Sequence, residues 1–284
     1  MRRAKILLML LLFYLIVISC NDNIVEQRNT QNVNIPDTNF KIKIIDAGFD
    51  LNKDGEISFS EAEKIDSLNV AQPDPTKWYP KIKEITGIGA FANLEYFNCY
   101  GDYIKGEIDL SKNINLTYLN IGLNHVTNLN INNLAKLREL DIKFNNLRSL
   151  DLSTNISLRK LDISFNTLTD IDITHNIDLE GFSCVGNSFT SIDFSKNVHL
   201  KKITISGASI NFNSLDISNS RELEDLSLSY IKLPILDISK NKQLRNLGLG
   251  FIDNLRKICV WELPLPDSIA VTLQNITATI VVCE

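Results

Sequence analysis

Histidine is scarce in this 284-residue chain. His125, His175 and His199 are the three present, with no cysteines beside them and no HExxH spacing, which excludes the common zinc-hydrolase arrangements. A Gly-rich phosphate loop and a nucleophile elbow are also missing, so no catalytic constellation is left and the chain reads as a non-enzyme. Lysine and arginine never cluster into a run. Apolar residues form one long run, ILLMLLLFYLIVI, which is too short to span a bilayer comfortably. Charge leans acidic, 29 basic against 34 acidic residues. Without Arg2, Arg3 and Lys5, which precede and are removed with that apolar run, the balance is 26 against 34, a net charge of −8. Neither nucleic acid nor an anionic membrane surface is then expected as the main partner.

The basic start MRRAK, the apolar run and the small Ser19 before Cys20 read as a secretion signal over 1–19. The stretch V-I-S-C (17–20) resembles the lipobox of bacterial lipoproteins, which implies that Cys20 carries diacylglycerol after cleavage. Two or three acyl chains on one residue anchor firmly, at roughly 0.8 kcal/mol per buried methylene. The polar stretch NDNIVEQRNTQNVN that follows has little to bury, and 20–34 reads as a flexible tether.

From about residue 94 the chain is periodic. Leu94, Leu116, Leu137, Leu158, Leu179, Leu200, Leu223 and Leu244 recur at 21 to 23 residues, and the pattern around them, L-x-x-L-x-L-x-x-N, is that of leucine-rich repeats. Each repeat has two alternating segments, such as RELDIK (138–143) and SLDLS (149–153). Alternation of period two marks half-buried strands. Stacking at about 4.8 Å predicts a mainly β repeat solenoid with two parallel sheets, stable only through contacts between neighbouring turns. Leu119, Leu140, Leu161, Phe182, Ile203, Leu226 and Leu247 form an inward column.

Two asparagine columns are expected to make turns: Asn124, Asn145, Asn166 and Asn187, and Asn113, Asn155, Asn176, Asn197 and Asn241. A buried amide is tolerated only when its donors and acceptors are met. The first column fails at Ala208, Ile231 and Ile252, where irregular turns are expected. Cys99 and Cys184 fall in the inward column four turns apart, about 19 Å at strand spacing. They are too far apart to bridge and are expected as buried thiols. Cys259 and Cys283 lie after the last full repeat, and a disulfide between them would fasten the terminal segment.

One stretch carries different chemistry. DLNKDGEISFSE (50–61) presents oxygen ligands at the positions a twelve-residue calcium loop uses. They are the Asp50, Asn52 and Asp54 side chains, the Glu56 carbonyl, Ser58 directly or through water, and both oxygens of Glu61. Gly55 sits at the sharp turn, and Ile57 where a paired loop would add a strand contact. TNFKIKIIDA (38–47) and SEAEKIDSL (60–68) have helical potential. No second loop exists, so the metal reads as a fastener for a helical cap over the first open turn. A ligand that binds only the folded form stabilises it by mass action.

The segments IPDTNFKIKII (35–45), DLNKDGEISFSEA, TGIGAFANLEYFNC (86–99), the L-D-I-S-x-N turns and ICVWELPLP (258–266) together resemble the internalin-like leucine-rich-repeat lipoproteins of Gram-negative bacteria. The resemblance covers essentially the whole mature chain and implies an outer-membrane, cell-surface interaction protein. The expected organisation is signal peptide 1–19, tether 20–34, cap with calcium loop 35–81, solenoid 82–258 and C-terminal cap 259–284. A monomeric chain with a protein ligand and a lipid-held membrane contact is expected. A glycan-binding or polysaccharide-handling accessory lipoprotein is the second reading. The candidate face is the outward side of the L-x-x-L-x-L strands: Tyr96, Tyr118, Glu139 and Lys160 in one column, and Asn98, Asn120, Asp141 and Asp162 in the next. Phe144, Phe165, Tyr230 and Phe251 lie near the strand ends. The repeated carboxylates Asp151, Asp172, Asp193, Asp216 and Asp237 read as solvent-facing turn residues.

Overall fold

The structure is a computed structural model that describes residues 31–71 and 80–283. The expected signal, the Cys20 anchor and Trp78 and Tyr79 lie outside the described residues. Two short helices, α1 (Thr38–Asp46) and α2 (Phe59–Ala62), precede fifteen strands. In chain order these are β1 (Ser67–Asn69), β2 (Tyr96–Asn98), β3 (Lys105–Asp109), β4 (Tyr118–Asn120), β5 (His125–Asn130) and β6 (Glu139–Asp141). There follow β7 (Lys160–Asp162), β8 (Gly181–Ser183), β9 (Lys202–Ser206), β10 (Asp225–Ser229) and β11 (Ile235–Asp237). The last four are β12 (Asn246–Gly250), β13 (Lys257–Val260), β14 (Ala270–Gln274) and β15 (Thr279–Val282).

One strand from each turn joins a single ten-stranded parallel sheet, in the order β1-β2-β4-β6-β7-β8-β9-β10-β12-β14. Its register follows the sequence period: Tyr96 pairs with Tyr118, Glu139 with Lys160, and Gly181 with Lys202. The inward column from Leu119 to Leu247 is buried throughout. The chain is thus a mainly β leucine-rich-repeat coil.

The second sheet is only partly formed, which corrects the expectation of two. Strand pairing on that side is confined to β3 with β5 and to β11-β13-β15, while 149–153, 170–174 and 191–195 form no strands. There the amides of the second asparagine column bond the carbonyls of the turns. The Asn155 amide donates to the carbonyls of Ile131 and Leu134, and that of Asn176 to those of Leu152 and Asn155. Each carboxylate of the Asp151 column accepts the N–H two residues on, as Asp151 does from Ser153 and Asp172 from Thr174. These are Asx-type turns.

The first asparagine column is fully bonded. Asn145 donates to the carbonyls of Ile121 and Ile142 and accepts from the Val126 N–H; Asn124, Asn166 and Asn187 repeat the arrangement. After the insertion, where Ile231 and Ile252 replace asparagine, the Asn254 side chain accepts from the Leu233 N–H. The sequence reading missed the head of this column. Asp102 occupies the asparagine position in the first turn, buried, and accepts from the Ile82 N–H. Lys43 of α1 reaches it at 3.4 Å and also donates to the Val70 carbonyl. Burial pulls the Lys43 ammonium below its ordinary pKa, against the opposing pull of Asp102.

Both end segments contribute strands to the sheets of the coil. At the front, β1 is the sheet's first strand, with Leu68 fully buried. The expected helix over 60–68 is therefore a single turn that gives way to a strand. At the back, β14 and β15 continue the coil by pairing with β12 and β13. A disulfide joins Cys259 to Cys283, with alpha carbons 5.3 Å apart. Cys99 and Cys184 are buried free thiols, and desolvation pushes both well above the ordinary thiol pKa.

Candidate functional site

The calcium-loop sequence folds around its own hydrogen bonds. Gly55 takes a φ of 83°, a left-handed conformation that glycine adopts without strain. Its N–H and that of Asp54 bond to Asp50, and Asp54 also bonds to Asn52 through backbone and side chain. Glu61 closes the loop. One of its oxygens accepts from the N–H groups of Leu51 and Asn52, the other from the N–H and hydroxyl of Ser58. Burial alone would raise its pKa, but these bonds hold the carboxyl below the usual glutamate range. Ser58 returns the contact as N-cap of α2, completing a capping box.

The donors are all oxygen, which is the chemistry calcium selects. The Glu56 side chain is engaged with Lys41 at 2.7 Å. Glu61 here spends its lone pairs on loop N–H groups. Among the described residues no group of three or more His, Cys, Asp or Glu side chains converges on one metal position. Calcium held by these residues would draw Glu61 away from some of those bonds.

The edge a second loop would occupy is filled. Asn32 bridges Ser58 antiparallel, the Val33 N–H bonds to the Ile57 carbonyl, and the Phe59 N–H bonds to that of Gln31. Val33 is buried. Residues 31–34, expected at the end of a tether, are therefore docked parts of the cap and stand in for a partner loop.

The eight residues of the candidate face share one side of the ten-stranded sheet. Tyr96 and Tyr118 stack face to face, centroids 4.5 Å apart, and Lys160 meets Glu139 at 2.8 Å across one turn. In the second column Asp141 pairs with Lys143 at 2.7 Å, and Asp162 lies 3.9 Å from the same ammonium. Burial pushes the Asp141 carboxyl up, and only part of that is offset by Lys143. Burial likewise raises the Tyr118 phenol. Asn98 and Asn120 turn back onto the backbone, each accepting from the N–H two residues on. A hollow of about 250 Å³ opens between Tyr118, Glu139, Lys160 and Lys202, over Gly181, which has no side chain to fill it.

Along the ends of the same strands runs a ridge the sequence showed only as scattered aromatics. Leu123, Phe144, Phe165, Tyr230 and Phe251 all have φ between 52° and 56°, a left-handed conformation costing roughly 1–2 kcal/mol for a residue with a Cβ. Phe144 stacks on Phe165 at 4.3 Å and Tyr230 on Phe251 at 4.7 Å, each pair nearly parallel. The far face of Phe165 lies over Gly186, where an added Cβ would meet the ring at 2.7 Å. The rings do not tuck into the core, since Phe144 is 40% and Phe165 44% exposed. Each stacked ring has one face covered by its partner, and Phe165 has its second face over Gly186.

No protein-family model matches the sequence, and no curated protein does. Solved structures do match. Internalin C2 of Listeria monocytogenes is 19% identical, with a TM-score of 0.55 over 84% of this chain and 93% of that one. The ectodomain of a plant receptor kinase from Arabidopsis thaliana, solved with Casparian strip integrity factor 2, is 22% identical with a TM-score of 0.53. It aligns with 68% of this chain, which spans only 25% of that ectodomain. The functional domain of InlJ from Listeria monocytogenes is 21% identical over 88% of this chain and 72% of that one, with a TM-score of 0.45. Among the described residues no helix is long and apolar enough to cross a membrane. The chain thus has the fold of a leucine-rich-repeat solenoid, and internalins are among the solved structures it resembles.

Proposed function

We propose that this chain is an exported binding module that holds another protein on the outward side of its ten-stranded sheet, anchored through lipid on Cys20 at the outer membrane and exposed on the cell surface. The ring geometry carries the choice of ligand class. Tyr96 with Tyr118, Phe144 with Phe165 and Tyr230 with Phe251 are stacked face to face. Sugar rings dock on open aromatic faces, and stacking covers one face of each of these rings. Exposed ring edges beside paired charges such as Glu139–Lys160 and Asp141–Lys143 suit the aromatic and mixed-charge composition of protein interfaces. That favours a protein over the polysaccharide reading.

The loop 50–61 belongs to the same proposal as a calcium site that fastens the front of the coil. Its ligands would be Asp50, Asn52, Asp54, the Glu56 carbonyl, Ser58 and Glu61, supplying charge neutralisation and no reaction. An exported protein meets calcium at levels that keep sites with dissociation constants near 10⁻⁴–10⁻³ M filled.

The deciding experiment is cross-linking of the chain on intact cells, comparing the native sequence with Tyr96→Ala/Tyr118→Ala/Asp141→Ala. Loss of a specific cross-linked protein in the variant supports the assignment. Undiminished cross-linking, or saturable binding to a glycan array with none to protein, overturns it. Mass spectrometry of the N-terminal peptide tests the Cys20 lipid, and protease shaving of cells tests surface exposure.

A further inference from the structure

The two ends of the coil are finished differently. At the front, Leu68, the inward residue of β1, is fully buried. At the back, the inward residues of the last turn are open: Val271 is 41%, Leu273 43% and Val282 54% exposed. Their register partners one turn earlier, Leu247, Leu249 and Val260, are at most 3% exposed. The core of the solenoid therefore reaches solvent at this end.

The strand edge is open there too. The Ala270 N–H bonds back to the Arg245 carbonyl, and the Gln274 carbonyl accepts from the Phe251 N–H. These contacts fix the phase of the ladder. The backbone groups of Ala270, Thr272 and Gln274 face β12, so those of Val271 and Leu273 point away from the sheet. The usual protections of an exposed edge, a lysine, a proline or a covering loop, do not occur on β14 among the described residues. Residues 268–283 carry no charged side chain, so no like charges from these residues meet when a second copy approaches.

We propose that this end is the contact surface for a second copy of the same chain, pairing β14 with β14 antiparallel about a two-fold axis at Thr272. Val271 of one copy then lies opposite Leu273 of the other, and the pair exchanges both N–H···O bonds; the symmetric pair repeats this. The two sheets become one continuous sheet, and the exposed inward side chains cover each other. Among the described residues the front of the coil, where Leu68 is fully buried, offers no matching apolar opening for a head-to-tail contact. The contact is therefore isologous and closes at two copies.

Thr272 meets its own copy as a non-hydrogen-bonded pair, where alpha carbons approach to about 4.5 Å, within reach of a disulfide. The purified chain should sediment with a mass that rises toward twice its own with concentration. Thr272→Cys should form a disulfide-linked dimer under mild oxidation at least tenfold faster than Thr277→Cys, placed on the following loop. Leu273→Lys should remain monomeric. A chain that stays monomeric at every concentration, equal cross-linking of the two cysteine variants, or a dimer that survives Leu273→Lys would overturn the proposal. Should Leu273→Lys fail to fold, the cysteine comparison decides alone.

Discussion

Asn145 and Asn155 belong to the same turn, are both buried and both donate to the backbone, but only Asn145 also accepts from it, so replacing each with alanine separates two kinds of buried amide. Asn145 donates to the Ile121 and Ile142 carbonyls and accepts from the Val126 N–H at 2.9 Å. Without it, Ile121 keeps the Asn124 amide and Ile142 keeps the Asn166 amide, but the Val126 N–H is stranded. A buried unmet donor costs about 1–3 kcal/mol, and the two lost bonds about 1 kcal/mol each. Asn145→Ala should therefore cost about 3–5 kcal/mol. Asn155 donates to the Ile131 and Leu134 carbonyls, and these keep the N–H groups of Leu134 and Leu137. Its own oxygen is buried and, among the described residues, accepts no hydrogen bond, so alanine strands no backbone donor there. The loss of packing is common to both and cancels in the comparison. Asn145→Ala should be less stable than Asn155→Ala by at least about 2 kcal/mol in urea melts followed by circular dichroism at matched m-values. Equal midpoints, or a larger loss at Asn155, would refute this assignment of the two columns.

Asp102→Asn keeps an acceptor for the Ile82 N–H but leaves Lys43 without its carboxylate, and should cost about 2–3 kcal/mol; Lys43→Met added to it should restore most of the melt. Glu61 has a depressed folded-state pKa, so the stability it contributes is present above the ordinary glutamate value, about 4.3, and is lost as pH falls through the lower folded value. Glu61→Gln should be less stable at neutral pH, with a deficit that shrinks in acid; a deficit independent of pH would count against that role. In calcium, the melting temperature of the native chain should fall on chelation and that of Glu61→Gln should move less. Phe144→Gly with Phe165→Gly removes left-handed strain of roughly 1–2 kcal/mol per residue and loses a stacked pair of about 0.5–1.5 kcal/mol. Stability should change little while partner cross-linking falls, and a loss above about 3 kcal/mol would make the rings structural.

The sequence by itself determined the coil. A leucine every 21 to 23 residues can be buried only by neighbouring turns, and strict alternation around it leaves one side of each strand inward. The same periodicity placed Asn145 and its equivalents at the turns and kept Cys99 apart from Cys184, because a repeat of constant length converts sequence distance directly into stacking distance. It also marked the outward columns from Tyr96 to Asp162, since alternation assigns a side to every strand residue. The tertiary structure alone decided what lies between distant segments. Lys43 reaches Asp102 across 59 residues, and Gln31–Val33 fills the edge beside the single calcium-type loop. No local pattern encodes either contact. The second sheet formed only in part, at β3 with β5 and at β11-β13-β15, an interruption that alternation does not reveal. The facing of the ridge rings and the uncovered last turn also emerged only with the stack assembled. Whether an aromatic shows its face or its edge, and whether an inward side chain has anything above it, depends on the neighbouring turn.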